Sequence, residues 1–202
     1  MKTTLLLLLA AGSGWAGSAA YEIRPEDRAL LELTVEKTGF LSGKKHLFTF
    51  SRYQGALLLD RDAPEKSTVT LDIEAASISC HDAWLGTKDL RKVQDYAVKD
   101  MLAAERYPRI AFRSTAIHKL DVNHYEVQGI LTIRDVPRPA IISVTLDTGS
   151  GAFPLIEGSS QVRLTDFGLK PPTAVLGAIG TKNEMLFRFV LTGMPPRISA
   201  SE

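Results

Sequence analysis

The sequence has only one cysteine, almost no net charge and no apolar run long enough to cross a bilayer. Because Cys80 has no second cysteine to pair with, we expect no internal disulfide, and stability must come from the apolar core. Lysine and arginine number 24 against 23 acidic residues and are interleaved with them. A nucleic-acid-binding protein usually shows a clustered basic excess, so nucleic acid is not an expected partner. With 202 residues, 45% of them hydrophobic, the chain is typical of one globular domain.

The N-terminus is typical of a secretory signal peptide. Lys2 precedes five consecutive leucines, and small residues follow, with Ser18 and Ala20 suited to a cleavage site. A membrane-spanning helix needs about 20 apolar residues, so we predict no membrane span here. We predict a signal peptide at residues 1–20, cleaved before Tyr21, and a periplasmic location. A buried N-terminal helix is the alternative, and the lack of a cysteine at the cut argues against a lipid-anchored protein.

Alternating apolar and polar residues predict eight strands. In the clearest of them, Tyr125, Val127, Leu131 and Ile133 lie on one face and mostly polar side chains lie on the other. The predicted strands are residues 29–36, 47–59, 68–78, 109–118, 125–134, 140–147, 155–164 and 184–192, with a bend or bulge at Gly55. Short turns between several of these strands indicate an antiparallel meander. Eight such strands favour a small closed barrel, either filled by side chains or holding one small ligand.

Residues 87–104 break the strand pattern. Their apolar residues recur near helical spacing, and Tyr107-Pro108 follows, where helical angles are disfavoured. We therefore predict a helical excursion between the third and fourth strands.

Several segments of the chain occur in the order and spacing of a known family. They are Tyr21-Glu22-Ile23, residues 50–60, Ala75-Ala76-Ser77-Ile78, residues 106–114, residues 129–136 and residues 163–169. Together they resemble the YceI-like family of exported, lipocalin-like barrel proteins. The chain departs from that pattern at residues 82–85 and 94–97 of the excursion, and at Asp135, where glycine is usual.

The resemblance implies an all-β fold, an eight-stranded antiparallel lipocalin-like β-barrel with one helical excursion between strands 3 and 4. It implies a YceI-like domain at residues 21–194; the polar composition of the residues that follow predicts a flexible tail at residues 195–202. It also implies a non-enzymatic carrier whose lumen binds a polyisoprenoid or isoprenoid-quinone-like lipid, with no cofactor. An interaction module with a filled barrel is the alternative; its partner would dock at the helix or near Phe48 and Phe50. A homodimer is possible.

Apolar residues that alternate on the predicted strands are the candidates for a ligand-binding lumen, although each could equally fill a solid core. They are Leu31, Leu33, Val35, Phe50, Leu71, Ile73, Phe112, Leu131, Ile133, Phe187 and Phe189. A diphosphate head group would require a cation near the mouth. Arg163 and Lys170 are the candidates, the alternative being that Arg163 pairs with a neighbouring carboxylate.

Two further patterns are weaker. Cys80-His81-Asp82 contains a nucleophile beside a base, but adjacent residues of an extended chain point apart, so we predict no catalytic site. The four histidines lack metal-ligand spacing, and we predict no metal site. Trp84 and Tyr96 are expected either to form an apolar lid over the barrel or to anchor the excursion to its outer wall.

Overall fold

The computed structural model describes residues 18–149 and 153–197 and consists mostly of strands. Its strands are β1 (Ser18–Ile23), β2 (Leu30–Gly39), β3 (Lys45–Phe50), β4 (Tyr53–Asp60), β5 (Thr68–Glu74), β6 (Ile78–Cys80), β7 (Arg109–Lys119), β8 (His124–Ile133), β9 (Val136–Asp147), β10 (Leu155–Arg163) and β11 (Ile179–Met194). The excursion carries helix α1 (Thr87–Tyr96), which continues into a π-type turn (Ala97–Met101). Short 3₁₀ turns occur at Pro64–Lys66, Ala75–Ser77, Leu164–Phe167 and Val175–Gly177.

Eight strands close into an antiparallel barrel. The ring runs β1–β4–β5–β7–β8–β9–β10–β11, and β1 pairs with the end of β11 through Glu22 opposite Met194 and Ile23 opposite Gly193. Strands β2, β3 and β6 continue the sheet from the long strand β11. The alternating faces of these strands turn their apolar side chains inward, where they form one continuous core.

Three successive barrel strands are each interrupted once. β1 and β2 both pair with β11 and are separated by a segment that contains Pro25. β3 and β4 are separated at Ser51-Arg52, and β5 and β6 by the 3₁₀ turn Ala75–Ser77. β1 pairs with β4 and β4 with β5, while β2 pairs with β3 and β3 with β6. The breaks therefore lie side by side and let one end of the barrel splay away from the other.

The excursion closes the gap that the splayed strands leave. Strand β6 pairs with β3 along one edge, and its other edge faces α1. There the amide of Gln94 accepts a hydrogen bond from Cys80 N at 2.7 Å and donates one to Ile78 O at 2.7 Å. One helical side chain thus supplies the donor and acceptor that a neighbouring strand would supply, so the edge of β6 is satisfied. We call this end of the barrel the mouth and the opposite end the floor.

The eight-stranded barrel and the excursion between the third and fourth predicted strands are confirmed. The single strand predicted at residues 47–59 is wrong, because β3 and β4 separate at Ser51-Arg52 and not at Gly55. Gly55 lies within an unbroken ladder, where a Cβ would meet Thr70 O at 2.3 Å, so glycine serves a close backbone approach. The strand predicted at residues 68–78 is likewise divided.

The two ends of the chain involve residues outside the described range. The predicted signal peptide covers residues 1–20; residues 1–17 lie outside the described part, and residues 18–20 begin β1. Of the predicted tail, residues 198–202 lie outside it, while Arg197 N donates to Glu22 Oε1 at 3.0 Å. Cleavage before Tyr21, the domain limits and the flexible tail all stay predictions.

Candidate functional site

Within the part of the chain that the structure describes, two cavities lie inside the barrel. The one at the mouth has a volume of about 410 Å³ and is bounded by the splayed strands, by α1 and by the segment before β11. The one at the floor has about 130 Å³ and is bounded by the regular part of the barrel. Ile110 and Phe187 border both and stand between them. We call these cavities the mouth chamber and the floor chamber.

All eleven predicted lumen residues line one chamber or the other. Leu33, Val35, Phe50, Ile133 and Phe187 line the mouth chamber; Leu31, Leu71, Ile73, Phe112, Leu131, Phe187 and Phe189 line the floor chamber. The barrel is therefore hollow at the mouth and nearly filled at the floor. Whether these residues bind a ligand stays a prediction.

The mouth chamber has the size of a small-molecule site and the floor chamber does not. Ligand cavities usually measure about 300–1,000 Å³ and combine an apolar lining with a few polar groups. The mouth chamber meets both conditions, since Lys37, His46 and Lys92 interrupt an otherwise mostly apolar wall. An elongated apolar ligand would therefore enter among these polar groups and extend toward Ile110 and Phe187.

Lys37 is the cation best placed to meet a ligand. It is half-buried near the mouth end of β2, and its Nζ donates a hydrogen bond to Thr181 Oγ1 at 3.2 Å. Among the described residues, Lys37 Nζ forms no ion pair. Burial lowers the pKa of Lys37 below its ordinary value, and the charge of Asp82 opposes part of that shift. An anionic or strongly polar head group would relieve this desolvation.

The sequence contains the signal that identifies Lys37. It continues the inward alternation of Leu31, Leu33 and Val35 by one further step, beyond the end of the strand predicted at residues 29–36. His46 is found in the same way, since it shares its face with Phe48 and Phe50.

The two predicted head-group residues lie elsewhere. Arg163 is exposed at the end of β10, and its Nε approaches Asp166 Oδ2 at 3.3 Å, which is the alternative arrangement that the sequence left open. Lys170 is exposed in the following segment. Neither side chain lines the mouth chamber or the floor chamber. Head-group binding by either residue stays untested, and the geometry favours Lys37.

A polar cluster joins the start of the excursion to β3. The carboxylate of Asp82 is fully buried; its Oδ1 accepts a hydrogen bond from Leu47 N at 2.8 Å and its Oδ2 lies 2.5 Å from His46 Nδ1. Ligand-type atoms of His46, Cys80 and Asp82 all lie within 4.8 Å of one another. These are the residues that could hold a divalent cation. The two hydrogen bonds of Asp82 already account for its burial, so the cluster does not require a metal.

The neighbours Cys80 and His81 are not a working pair. His81 Nε2 lies 2.8 Å from Thr49 Oγ1 and its residue is exposed, whereas Cys80 lies near His46 and Asp82. Burial raises the pKa of the Cys80 thiol to about 11, with Asp82 contributing in both directions. A thiol with such a pKa is almost entirely protonated at neutral pH, which makes it a poor nucleophile.

Of the two roles expected for Trp84 and Tyr96, Trp84 serves as an anchor of the excursion and Tyr96 lies where a lid would be. Trp84 Nε1 donates to Lys45 O at 3.0 Å, and its ring stacks on His46 with centroids 5.7 Å apart, so Trp84 anchors the excursion to β3. Tyr96 lines the mouth chamber while remaining 43% exposed, as expected for a lid. Phe48 and Phe50 are buried against the chamber, so they offer no surface to a docking partner.

Within the described residues, no helix is both long and apolar enough to traverse a bilayer.

Comparisons with known proteins agree with this architecture. A family model described as a YceI-like domain matches residues 21–191. The chain is 30% identical over 174 residues to a UPF0312 protein of Pseudomonas savastanoi pv. phaseolicola, which covers 82% of this chain and 83% of the relative. It is 30% identical over 184 residues to a UPF0312 protein of Photorhabdus laumondii, covering 84% and 88% respectively.

Solved structures share the fold at lower sequence identity. The crystal structure of Burkholderia cenocepacia BcnA superposes with a TM-score of 0.62 at 20% identity, covering 81% of this chain and 96% of that one. A Campylobacter jejuni YceI protein superposes with a TM-score of 0.56 at 17% identity, covering 74% and 85%. At these identities the likeness concerns the fold alone.

Proposed function

The chain belongs to the YceI-like family, and we propose that it is a non-enzymatic periplasmic carrier that holds an isoprenoid lipid or a similar amphiphile in the mouth chamber. The observation that carries the proposal is the apolar chamber of about 410 Å³ with a half-buried lysine at its entrance, Lys37, which forms no ion pair among the described residues. Its shape and polarity suit an amphiphile better than a compact polar metabolite.

The apolar wall supplies the driving force for binding. Removing an isoprenoid tail from water contributes roughly 25 cal/mol per Å² of apolar surface, part of which the ordering cost of association offsets. The tail lies among Leu33, Phe50 and Met185, and the head group meets Lys37 at the entrance. The floor chamber, with about 130 Å³, accommodates only the end of a chain that passes Ile110 and Phe187.

The non-enzymatic part of the proposal is supported by the environment of Cys80. Its protonated thiol and the separation of His81 toward Thr49 leave the sequence-adjacent pair without an activated nucleophile. We expect the double variant Cys80→Ala, His81→Ala to retain ligand binding. Loss of a chemical activity on a bound amphiphile in that variant would contradict this part of the proposal.

The test uses native mass spectrometry of protein purified from a host that contains isoprenoid lipids. We expect a co-purifying lipid in the unmodified protein and in Arg91→Trp, because Arg91 is exposed on α1. Val93→Trp places an indole inside the chamber, since Val93 lines it from the same helix, and we expect the lipid to be lost. Absence of lipid from repeated preparations of the unmodified protein would instead favour the interaction module.

A further inference from the structure

Two neighbouring loops at the mouth expose large apolar side chains that the chamber does not use. Phe40, in the turn between β2 and β3, is 85% exposed. Leu176 and Val175, in the segment before β11, are completely and 67% exposed. Burying such side chains in the core would have stabilised the fold, so their position in solvent calls for another explanation.

The two loops are fastened together and to the chamber. Phe40 N donates to Ala178 O at 3.1 Å, and a Cβ on Gly39 would lie 2.1 Å from that same oxygen, so the backbones touch. Pro172, Thr173 and Ala174 at the start of the second loop line the mouth chamber. Phe40, Val175 and Leu176 therefore form one surface beside the entrance, which we call the mouth tip.

The second loop holds its apolar residues out at a conformational cost. Ala174 and Ile179 pair with each other, and Gly177 N donates to Ala174 O at 3.1 Å across the turn. The two residues between, Val175 and Leu176, both have φ of 52°. Turns with positive φ at these positions normally contain glycine, asparagine or aspartate, and a β-branched residue is strained there. Such strain is characteristic of functional surfaces.

The two loops of the mouth tip carry only basic charges. Residues 39–45 and 168–182 contain Lys44, Lys45, Lys170 and Lys182 and no aspartate or glutamate. Glu36 on β2 pairs with Lys182 and lies opposite Lys45 in the ladder with β3, while Lys44, Lys45 and Lys170 are exposed. Exposed apolar side chains among lysines complement a bilayer that contains anionic lipid. The apolar side chains insert among the acyl chains, and the lysines are attracted to the anionic head groups.

We propose that the mouth tip docks on the surface of an anionic lipid bilayer, with Phe40 and Leu176 inserted, so that the chamber opens toward the membrane. A second copy of the chain is a less suitable occupant. In a two-fold interface the same patch meets itself, which would bring the lysines of one copy against those of the other.

Vesicle co-sedimentation tests the proposal, using vesicles of phosphatidylglycerol and phosphatidylcholine and protein freed of bound lipid. We expect Phe40→Ser, Leu176→Ser to weaken binding by at least about tenfold, since two exposed apolar anchors are removed. The matched control is Leu120→Ser, Val122→Ser at the floor end, where these residues are 65% and 79% exposed. We expect the control to bind as the unmodified protein does. Equal weakening in both variants, or none in the first, would overturn the proposal.

A second arm separates the membrane from other occupants and the surface from the carrier function. Lys44→Glu, Lys45→Glu should weaken binding to anionic vesicles and leave the weak binding to pure phosphatidylcholine unchanged. If light scattering instead shows that the unmodified protein is a dimer that the Phe40→Ser, Leu176→Ser variant dissociates, and vesicle binding is absent, the mouth tip is a subunit interface. Failure of vesicle binding with a lipid still present in native mass spectra would reject the docking surface and leave the carrier proposal intact.

Discussion

The floor and the mouth of this barrel are built from the same strands but use them differently. At the floor β1 pairs with β4 along its whole length, from Ser18 to Ile23, one irregularity lies between Ser114 and Ala116 in the pairing of β7 with β8, and the space left inside is about 130 Å³. At the mouth three strands break, and the space is about 410 Å³. Cavity size follows strand continuity, because an unbroken ladder fixes the spacing that side chains must fill.

The breaks would expose backbone groups if nothing replaced the lost pairing. The excursion provides the replacement: Gln94 satisfies the edge of β6, Asp82 accepts from Leu47 N, and Trp84 donates to Lys45 O. Polar side chains thus stabilise the mouth, whereas apolar packing stabilises the floor. We expect the two ends to respond differently to substitution.

The largest expected difference comes from two leucines on one strand. Leu31 lines the floor chamber and Leu33 the mouth chamber, on the same face of β2, and both are buried. Leu31→Ala should reduce the free energy of unfolding by about 4 kcal/mol, whereas Leu33→Ala should reduce it by about 2 kcal/mol, because Leu33 already borders a void. Urea unfolding of lipid-free protein measures both. Equal losses would show that the chambers are equally well packed.

Gln94 tests the polar stabilisation of the mouth. Gln94→Ala leaves Cys80 N and Ile78 O without the partners they have now, and we expect a loss of about 2 kcal/mol. Gln94→Glu retains the acceptor for Cys80 N but not the donor to Ile78 O. Its stability should therefore lie between those of the unmodified protein and Gln94→Ala. Hydrogen exchange should accelerate at the Cys80 amide while the β8–β9 amides remain protected. An unchanged Cys80 amide would mean that the excursion does not hold β6.

The variant Lys37→Met tests whether a residue that strengthens ligand binding at the mouth also lowers the stability of the protein. Lys37→Met should weaken binding of a long-chain fatty acid by about tenfold, since a hydrogen bond to a charged group contributes about 1.5 kcal/mol. Binding of the corresponding neutral alcohol should change little. If Lys37→Met binds the acid as tightly as the unmodified protein, the head group does not meet Lys37.

The same variant should be more stable than the unmodified protein at neutral pH. Because burial lowers the pKa of Lys37 in the folded state, the ammonium costs stability below that pKa. The cost disappears as the pH rises through the lowered pKa toward the ordinary value of 10.5, so the advantage of Lys37→Met should shrink over that range.

The inward-facing residues could be predicted from the sequence, because the alternation of apolar and polar residues along a strand indicates which face each residue occupies. This is why all eleven predicted lumen residues point inward. Alternation does not report where a strand bends: Ser51-Arg52 contains neither glycine nor proline, and Gly55, which suggested a bend, serves a close approach to Thr70.

Contacts between residues far apart in the sequence could not be predicted, because they depend on which strands pair. Arg163 and Lys170 are suggested only by their nearness to a turn in sequence. Alternation along β2 predicts that Lys37 faces inward, but the pairing of β2 with β11 is what places it beside Thr181 at the chamber. The cluster of His46, Cys80 and Asp82 likewise depends on the pairing of β3 with β6. Strand β1 escaped prediction because it begins within the predicted signal peptide.

The smallest expected effect concerns a buried phenol beside the break between β3 and β4. Within the described part of the chain, Tyr53 Oη has no hydrogen-bond partner, and burial raises the pKa of Tyr53 to about 12, with Glu26 adding to the shift. Tyr53→Phe removes an unsatisfied polar group, so we expect stability at pH 7 to rise by about 1 kcal/mol.

The stability of the unmodified protein should fall between pH 10 and about pH 12, because this phenol loses its proton at a lower pH in the unfolded chain than in the folded protein. Tyr53→Phe should lack that part of the decline. Tyr96→Phe, on the exposed lid, is the matched control in urea titrations at pH 7 and 11. Should Tyr53→Phe destabilise the protein at pH 7, the hydroxyl must have a partner, which would add to the polar contacts that Arg52 makes with Glu74 and Ser77 at this break.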